Sequence, residues 1–295
     1  MQIKKYLNVY VDLLLVSVFC LIPFRGAWNN SFIGEPFDTR LMIVVHEHWS
    51  WVFRGQRDFN DLRIFYPFDN TLGYTDAFLL DGIIHSILRA VGFTMLNAWN
   101  LTNIFILILG TTGFYFLLKL AIKNRIVLLI LIFLICNNYT LIAYIHLWPN
   151  IIGYLLISWP ILFLYKVYSG QKPNLYLNIF LVSIPLYSLS YWYPTWFMMC
   201  AMICLLIVSL FKNNYRKNLV AAFNRIRPKL RISNLVAVSP IWIFLWYQFL
   251  TIYVSNIDKI TRDREEIFYG PTINDFFQQN YLEEAPFNLY MNFSN

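Results

Sequence analysis

The chain has 295 residues, 58% of them hydrophobic and only 13% charged, with a mean hydropathy of +0.51. That composition excludes an ordinary water-soluble globule, and repeated runs of about 20 apolar residues point to a polytopic membrane protein, because that is the length needed to cross the hydrocarbon core. The formal charge of +7 excludes little by itself, and its meaning depends on where the charges fall.

The first apolar run is Leu7 to Phe24. Lys4 and Lys5 precede it and no small-residue cleavage site follows a short apolar stretch, so a retained span with a cytoplasmic amino terminus is expected. Asp12 is the one acid inside a span. Local pairing or neutrality near the inner interface is expected of it, whereas a place in a proton relay would favour a transporter.

Residues 25–97 follow, a stretch too long for a simple connector and the one place where this chain could build a site. Two interfacial helices are predicted in it. The first starts at Asp38 or Thr39, either of which can cap it by accepting a bond from an early backbone amide. Its Leu41, Val44, Val45, His48 and Val52 form an apolar stripe, opposite Arg40, Glu47, Ser50 and Arg54, with Trp49 and Trp51 as interface anchors. The second runs from Thr75 or Asp76 to Val91, with a broad apolar face of Leu79, Leu80, Ile83, Ile84, Ile87 and Leu88. Asp76 is read as its cap, and Asp81 and His85 as a surface pair one turn apart, with Arg89 a further turn on. The intervening "DLRIFYPFDNTLGYTD" reads as a folded loop.

Six more spans are expected, at Trp99 to Leu118, Ile126 to Tyr144, Pro149 to Tyr165, Leu175 to Tyr191, Thr195 to Phe211 and Leu235 to Val254, making about seven in an all-α integral membrane fold. The inner segments are then the amino terminus, Lys119 to Arg125, Lys166 to Lys172 and Lys212 to Arg231, which hold 14 of the 23 Lys and Arg residues. The positive-inside rule is satisfied. The last of these loops reads as topogenic and as attracted to anionic membrane lipids, and no nucleic-acid partner is expected. Apart from Asp12, the acids fall in 25–97 and 255–295, with none between Asp81 and Asp258, so carboxylate chemistry is expected on the outer side. No phosphate-binding loop suggests cytoplasmic nucleotide hydrolysis.

Two short outer hairpins, Tyr144 to Asn150 and Tyr191 to Trp196, are rich in the aromatics of a membrane-interface belt, and the first carries His146, a second-tier site residue. The four cysteines lie in apolar runs, as small hydrophobes with no disulfide framework and no zinc spacing. The organisation expected is 1–24 amino terminus and first span, 25–97 outer loop, 98–254 further spans, and 255–295 an outer tail.

The ordered pieces Gly-Glu-Pro-Phe-Asp-Thr-Arg (34–40), Glu47-His48-Trp49, Phe65-Tyr66-Pro67 and Asn70-Thr71-Leu72-Gly73-Tyr74-Thr75-Asp76 resemble a bacterial family of multispanning proteins in the GT-C glycosyltransferase superfamily. The resemblance covers 34–99 and weakens through the following spans. It implies an inner or plasma-membrane enzyme that takes a sugar from a polyprenyl-phosphate donor and passes it to an envelope polysaccharide, lipid or protein on the outer face. In such enzymes a carboxylate just past the first span serves as catalytic base, and Asp38 is the position that matches best. Members of that family run longer, which implies that 255–295 ends short of further spans or belongs to an unusually short member.

The residues present fit that chemistry. Inverting transfer needs a carboxylate to take the acceptor hydroxyl's proton and positive charge for the departing lipid phosphate. Asp38 can supply the first, with Glu47 as second catalytic candidate. Arg40, Arg54 and Arg63 can supply the second, and His48, Asp76 and His146 complete the substrate-binding candidates. A divalent ion on Asp38, Glu47 and His48 is left open, although His48 falls on the apolar stripe. The alternatives are a transporter or flippase for lipid-linked saccharides, for which no inverted repeat is found, and a non-catalytic assembly subunit.

Overall fold

The computed structural model describes residues 2–25, 33–35, 38–63 and 71–254. The expectations for Phe65-Tyr66-Pro67, Asn70 and 255–295 lie outside these residues. Among the described residues there are helices and no strands. In chain order they are α1 (Gln2–Leu21), α2 (Asp38–Val52), α3 (Leu79–Val91), α4 (Met95–Ala121), α5 (Arg125–Cys136), α6 (Tyr139–Leu147), α7 (Ser158–Tyr168), α8 (Pro173–Ser188), α9 (Trp192–Phe211), α10 (Asn213–Ile226) and α11 (Ile232–Phe249). A 3-10 segment, Pro149–Ile157, leads into α7.

Among the described residues, six helical stretches are long and apolar enough to cross a membrane: Leu7–Phe24, Met95–Ala121, Arg125–Ala143, Pro149–Tyr168, Trp192–Phe211 and Leu235–Tyr253. The seventh expected span, Leu175 to Tyr191, is α8, a helix of only 16 residues with Pro185 inside it. At about 24 Å it is shorter than the six, yet it still leads from one end of the bundle to the other: Asn174 at its start donates to the carbonyl of Lys229 beyond α10, and Ser190 just past its end accepts from Leu80 N–H. It packs between α7 and α11.

Local chemistry sets the boundaries. Gly92, at φ 104°, closes α3 by donating from its backbone to Arg89, and Phe93 N–H donates to the carbonyl of Leu88. Two residues later Thr94 caps α4, its hydroxyl accepting from Asn97 N–H at 3.3 Å. The turn between α3 and α4 is therefore tight, and it hands the chain directly from the loop region into a span. Asn124 caps α5 in the same way, accepting from Ile126 and Val127.

Asp12 is buried and finds its partners on two other helices. Its carboxylate accepts from the Tyr115 hydroxyl and from Arg125 Nε, each at 2.6 Å, and Lys119 Nζ donates to the same Tyr115 oxygen at 2.5 Å. A buried carboxylate without such partners would be expensive, so this network explains how α1 tolerates an acid and ties α1 to α4 and to the start of α5.

Of the two loop helices, α2 departs from the expected division into one apolar and one polar face. Thr39, Met42, Ile43, Val45, His46, Glu47, His48, Trp49 and Ser50 of α2 are all buried, so this helix is packed on several sides and does not present one polar face to water. Trp49 is fully buried, and its Nε1–H donates to the carbonyl of Ala77 at 2.5 Å. Trp49 is thus a packing residue, not an interface anchor. It packs against Gly82 of α3, where a Cβ would come within 2.0 Å of the indole ring, and only glycine allows α2 and α3 to approach this closely.

Candidate functional site

The amino-terminal end of α2 carries the first group of candidates. Glu35, not Asp38 or Thr39, supplies a side-chain cap there, its Oε1 accepting from Asp38 N–H at 2.6 Å. Asp38 is the first residue of α2, its side chain exposed, and the helix dipole favours its negative charge. Arg40 is exposed beside it. Glu35 also donates from its backbone to the carbonyl of Leu147 at 3.3 Å, which seats the approach to α2 against the end of α6. This brings the half-buried His146 to the same end of the bundle as Asp38 and Arg40. Burial pushes the His146 imidazole below its ordinary range, so it favours the neutral form, able to accept or pass a proton.

The remaining α2 candidates turn inward. Glu47 is buried against α3, where His85 Nε2–H donates to its Oε1 at 2.8 Å and Arg89 Nε lies 2.7 Å from the same oxygen. Burial pushes the Glu47 carboxyl up, but the His85 hydrogen bond and the charges of His85 and Arg89 outweigh it and hold the group below the usual range. His46 is buried beside this pair, its ring 4.8 Å from Trp99 and 5.5 Å from His85, and burial with the nearby His85 pushes its imidazole well down. His48 is also buried, with Nε2 bonded to the carbonyl of Phe59 at 3.1 Å, so the ring braces the segment that follows α2. Arg54 donates back to Ser50 at 2.9 Å, and Arg63 is an exposed partner of Asp61 at 3.4 Å.

A second group forms where residues 75–81 are stitched to the turn between α8 and α9. Leu80 N–H donates to Ser190 Oγ at 2.9 Å, and Ala77 N–H donates to the Tyr253 hydroxyl at 3.1 Å. Asp76 does not cap α3, which starts three residues later behind Phe78; its Oδ1 accepts from the backbone of Trp192 at 3.2 Å. Burial raises its carboxyl to about 6. Asp81 and His85 are not a surface pair. Both are buried, His85 bonded to Glu47 and Asp81 accepting from the Tyr191 hydroxyl. Burial lifts Asp81 to about 7, with the Tyr191 bond opposing and the Asp76 charge adding.

Four residues of these pairings, Asp81, His85, Arg89 and Tyr191, are not among the candidate site residues read from the sequence. Arg89 had a visible signal, the polar stripe Asp81, His85, Arg89 repeating every four residues, but the stripe does not say which helix faces it. Tyr191 had none, being one aromatic among 20 tyrosines. Among the described residues, no three His, Cys, Asp or Glu side chains converge as a metal site would require. No protein-family model matches the chain, and neither a curated protein nor a solved structure matches it.

The arrangement thus separates two kinds of carboxylate. Glu47 and Asp81 hold helices together from buried positions. Asp38 is exposed, and among the described residues its carboxylate carries no hydrogen bond or ion pair, which leaves it free to take a proton from an incoming group.

Proposed function

We propose that the chain is a membrane glycosyltransferase of the GT-C kind, moving a sugar from a polyprenyl-phosphate donor to an envelope acceptor at the α2 end of the bundle. The observation that carries this reading is the exposed, uncommitted carboxylate of Asp38 at the start of α2, a short way past the first span. Asp38 takes the acceptor hydroxyl's proton as that oxygen attacks the anomeric carbon, and the bond to the lipid phosphate breaks on the opposite face. Arg40, exposed two residues on, is the best placed of the three arginines to meet the departing phosphate, since Arg54 is bonded to Ser50 and Arg63 to Asp61. His146 contributes a neutral imidazole from the facing hairpin. In this reading the Lys- and Arg-rich end of the bundle lies in the cytoplasm and the acid-bearing end outside.

The test is Asp38→Asn in membranes supplied with a labelled lipid-linked sugar. A lost general base lowers the rate by about 100-fold to 10,000-fold. Undiminished transfer removes Asp38 from the mechanism. The Asp12 network offers no comparable opening for a transporter, because both carboxylate oxygens are engaged by Tyr115 and Arg125.

A further inference from the structure

Cys20 and Cys136 stand 116 positions apart in the chain, yet their sulfurs lie 3.6 Å from each other. Cys20 is the penultimate residue of α1 and Cys136 the last of α5, and both are fully buried. Two further contacts fix where the thiols sit. Cys20 Sγ lies 3.9 Å from the carbonyl of Leu107, and Cys136 Sγ donates to Thr111 Oγ1 at 3.5 Å, so both are aimed against the same stretch of α4. Nearby, Phe19 and Phe133 meet edge to face at 5.3 Å, locking α1 and α5 side by side. The other two cysteines differ: Cys200 and Cys204 are one turn apart on α9, the first half-buried and the second exposed. Their spacing along one helix is that of lipid-facing apolar residues.

We propose that Cys20 and Cys136 are a disulfide pair that cross-links α1 to α5. Closing the bond asks the sulfurs to approach by about 1.5 Å, from contact to the usual S–S length of about 2.05 Å, a movement within reach of side-chain rotation. Two S–H bonds break and one S–S bond forms, and the two electrons and two protons pass to a hydroperoxide, whose O–O bond is cleaved to an alcohol and water. The oxidant must be small and at home in an apolar medium, because both sulfurs are fully buried between helices. Cys20 stands next to the end of α1, from which the chain leads toward Asp38, and both sulfurs rest against the middle of α4. The cross-link therefore pins the root of the segment that carries the candidate base, and it does so whether or not the chain is a glycosyltransferase.

The experiment uses the full chain in lipid nanodiscs, exposed to tert-butyl hydroperoxide at a dose that fully oxidises a dithiol peptide in the same discs, then denatured and treated with a maleimide-polyethylene glycol. The reduced chain gives four mass shifts and the oxidised chain two, and digestion yields one linked peptide pair containing Cys20 and Cys136. The oxidised chain melts about 5 °C or more above the reduced one, since the cross-link removes chain entropy from the unfolded state. In Cys20→Ala and in Cys136→Ala, three thiols survive oxidation and the melting temperature does not rise. Four surviving thiols in the wild-type chain would overturn the proposal. So would loss of Cys200 and Cys204 in their place, or thiol loss that persists in Cys20→Ala, which would mean oxidation without pairing.

Discussion

At Asp81 a carboxyl group is buried under the Tyr191 hydroxyl and raised to about 7 by burial. An acid whose folded pKa exceeds its unfolded value holds its proton more tightly in the native chain. It carries no penalty below about pH 4, where both states are protonated, and stability is lost as pH rises from there to about 7. His46, His48 and His146 pull in the opposite direction, because burial lowers each of them and the unfolded chain gains protons below about pH 6.5 that the native chain refuses. The wild-type pH profile therefore mixes both effects, and a difference isolates Asp81. Asn at this position still accepts from Tyr191 but cannot ionise. The melting temperature of Asp81→Asn, measured relative to wild type in nanodiscs, should rise between pH 5 and pH 7.5. A difference that stays flat across that range would show that Asp81 does not titrate where its surroundings place it.

Among the elements, the α2–α3 pair is built around one charge. Glu47 reaches from α2 to His85 and Arg89 on α3, next to the close approach of Trp49 and Gly82. Removing one member of a buried pair leaves the other uncompensated, and Arg89, only 27% exposed, gains limited relief from water. Glu47→Ala should therefore destabilise by about 2–3 kcal/mol, read as a lower melting temperature with weaker detergent tolerance. If Glu47 were instead a catalytic carboxylate, Glu47→Gln would retain the wild-type melting temperature and lose transfer, so the two measurements together assign its role. The pattern of α3 shows why the sequence left this open. Asp81, His85 and Arg89 repeat every four residues whether the stripe faces water or a neighbouring helix, and only the packing of α2 and of the α8–α9 turn reveals that two of the three are fully enclosed. The same holds for α2, where only Val45 and His48 of the expected apolar stripe are buried and Val44 is exposed, while Glu47, His46 and Ser50 on its other sides are buried as well.

At the scale of the molecule, the apolar runs were long enough to be legible as spans, and six of them are helices of membrane-crossing length. The exception, α8, is interrupted by Pro185 and ends at Ser188, and an apolar run does not declare where its backbone stops being helical. Pairs such as Asp12 with Arg125, or Cys20 with Cys136, depend on contacts more than 100 residues apart and leave no local trace. The charge asymmetry, by contrast, is written along the whole chain, and it makes a physical prediction about orientation. Helix α10 carries Arg216 and Lys217 without any acid, while Asp58 and Asp61 follow α2. Moving clustered Lys and Arg residues across a membrane is disfavoured, so α10 should stay on the side of synthesis. In a chain whose own cysteines are replaced by Ala, a membrane-impermeant maleimide added to intact cells should label Gln56→Cys. It should reach Asn214→Cys only after the membrane is opened. Both positions are exposed, so accessibility within the protein does not decide the result. The reverse labelling would place Asp38 in the cytoplasm and remove the outer-leaflet donor from the proposed reaction.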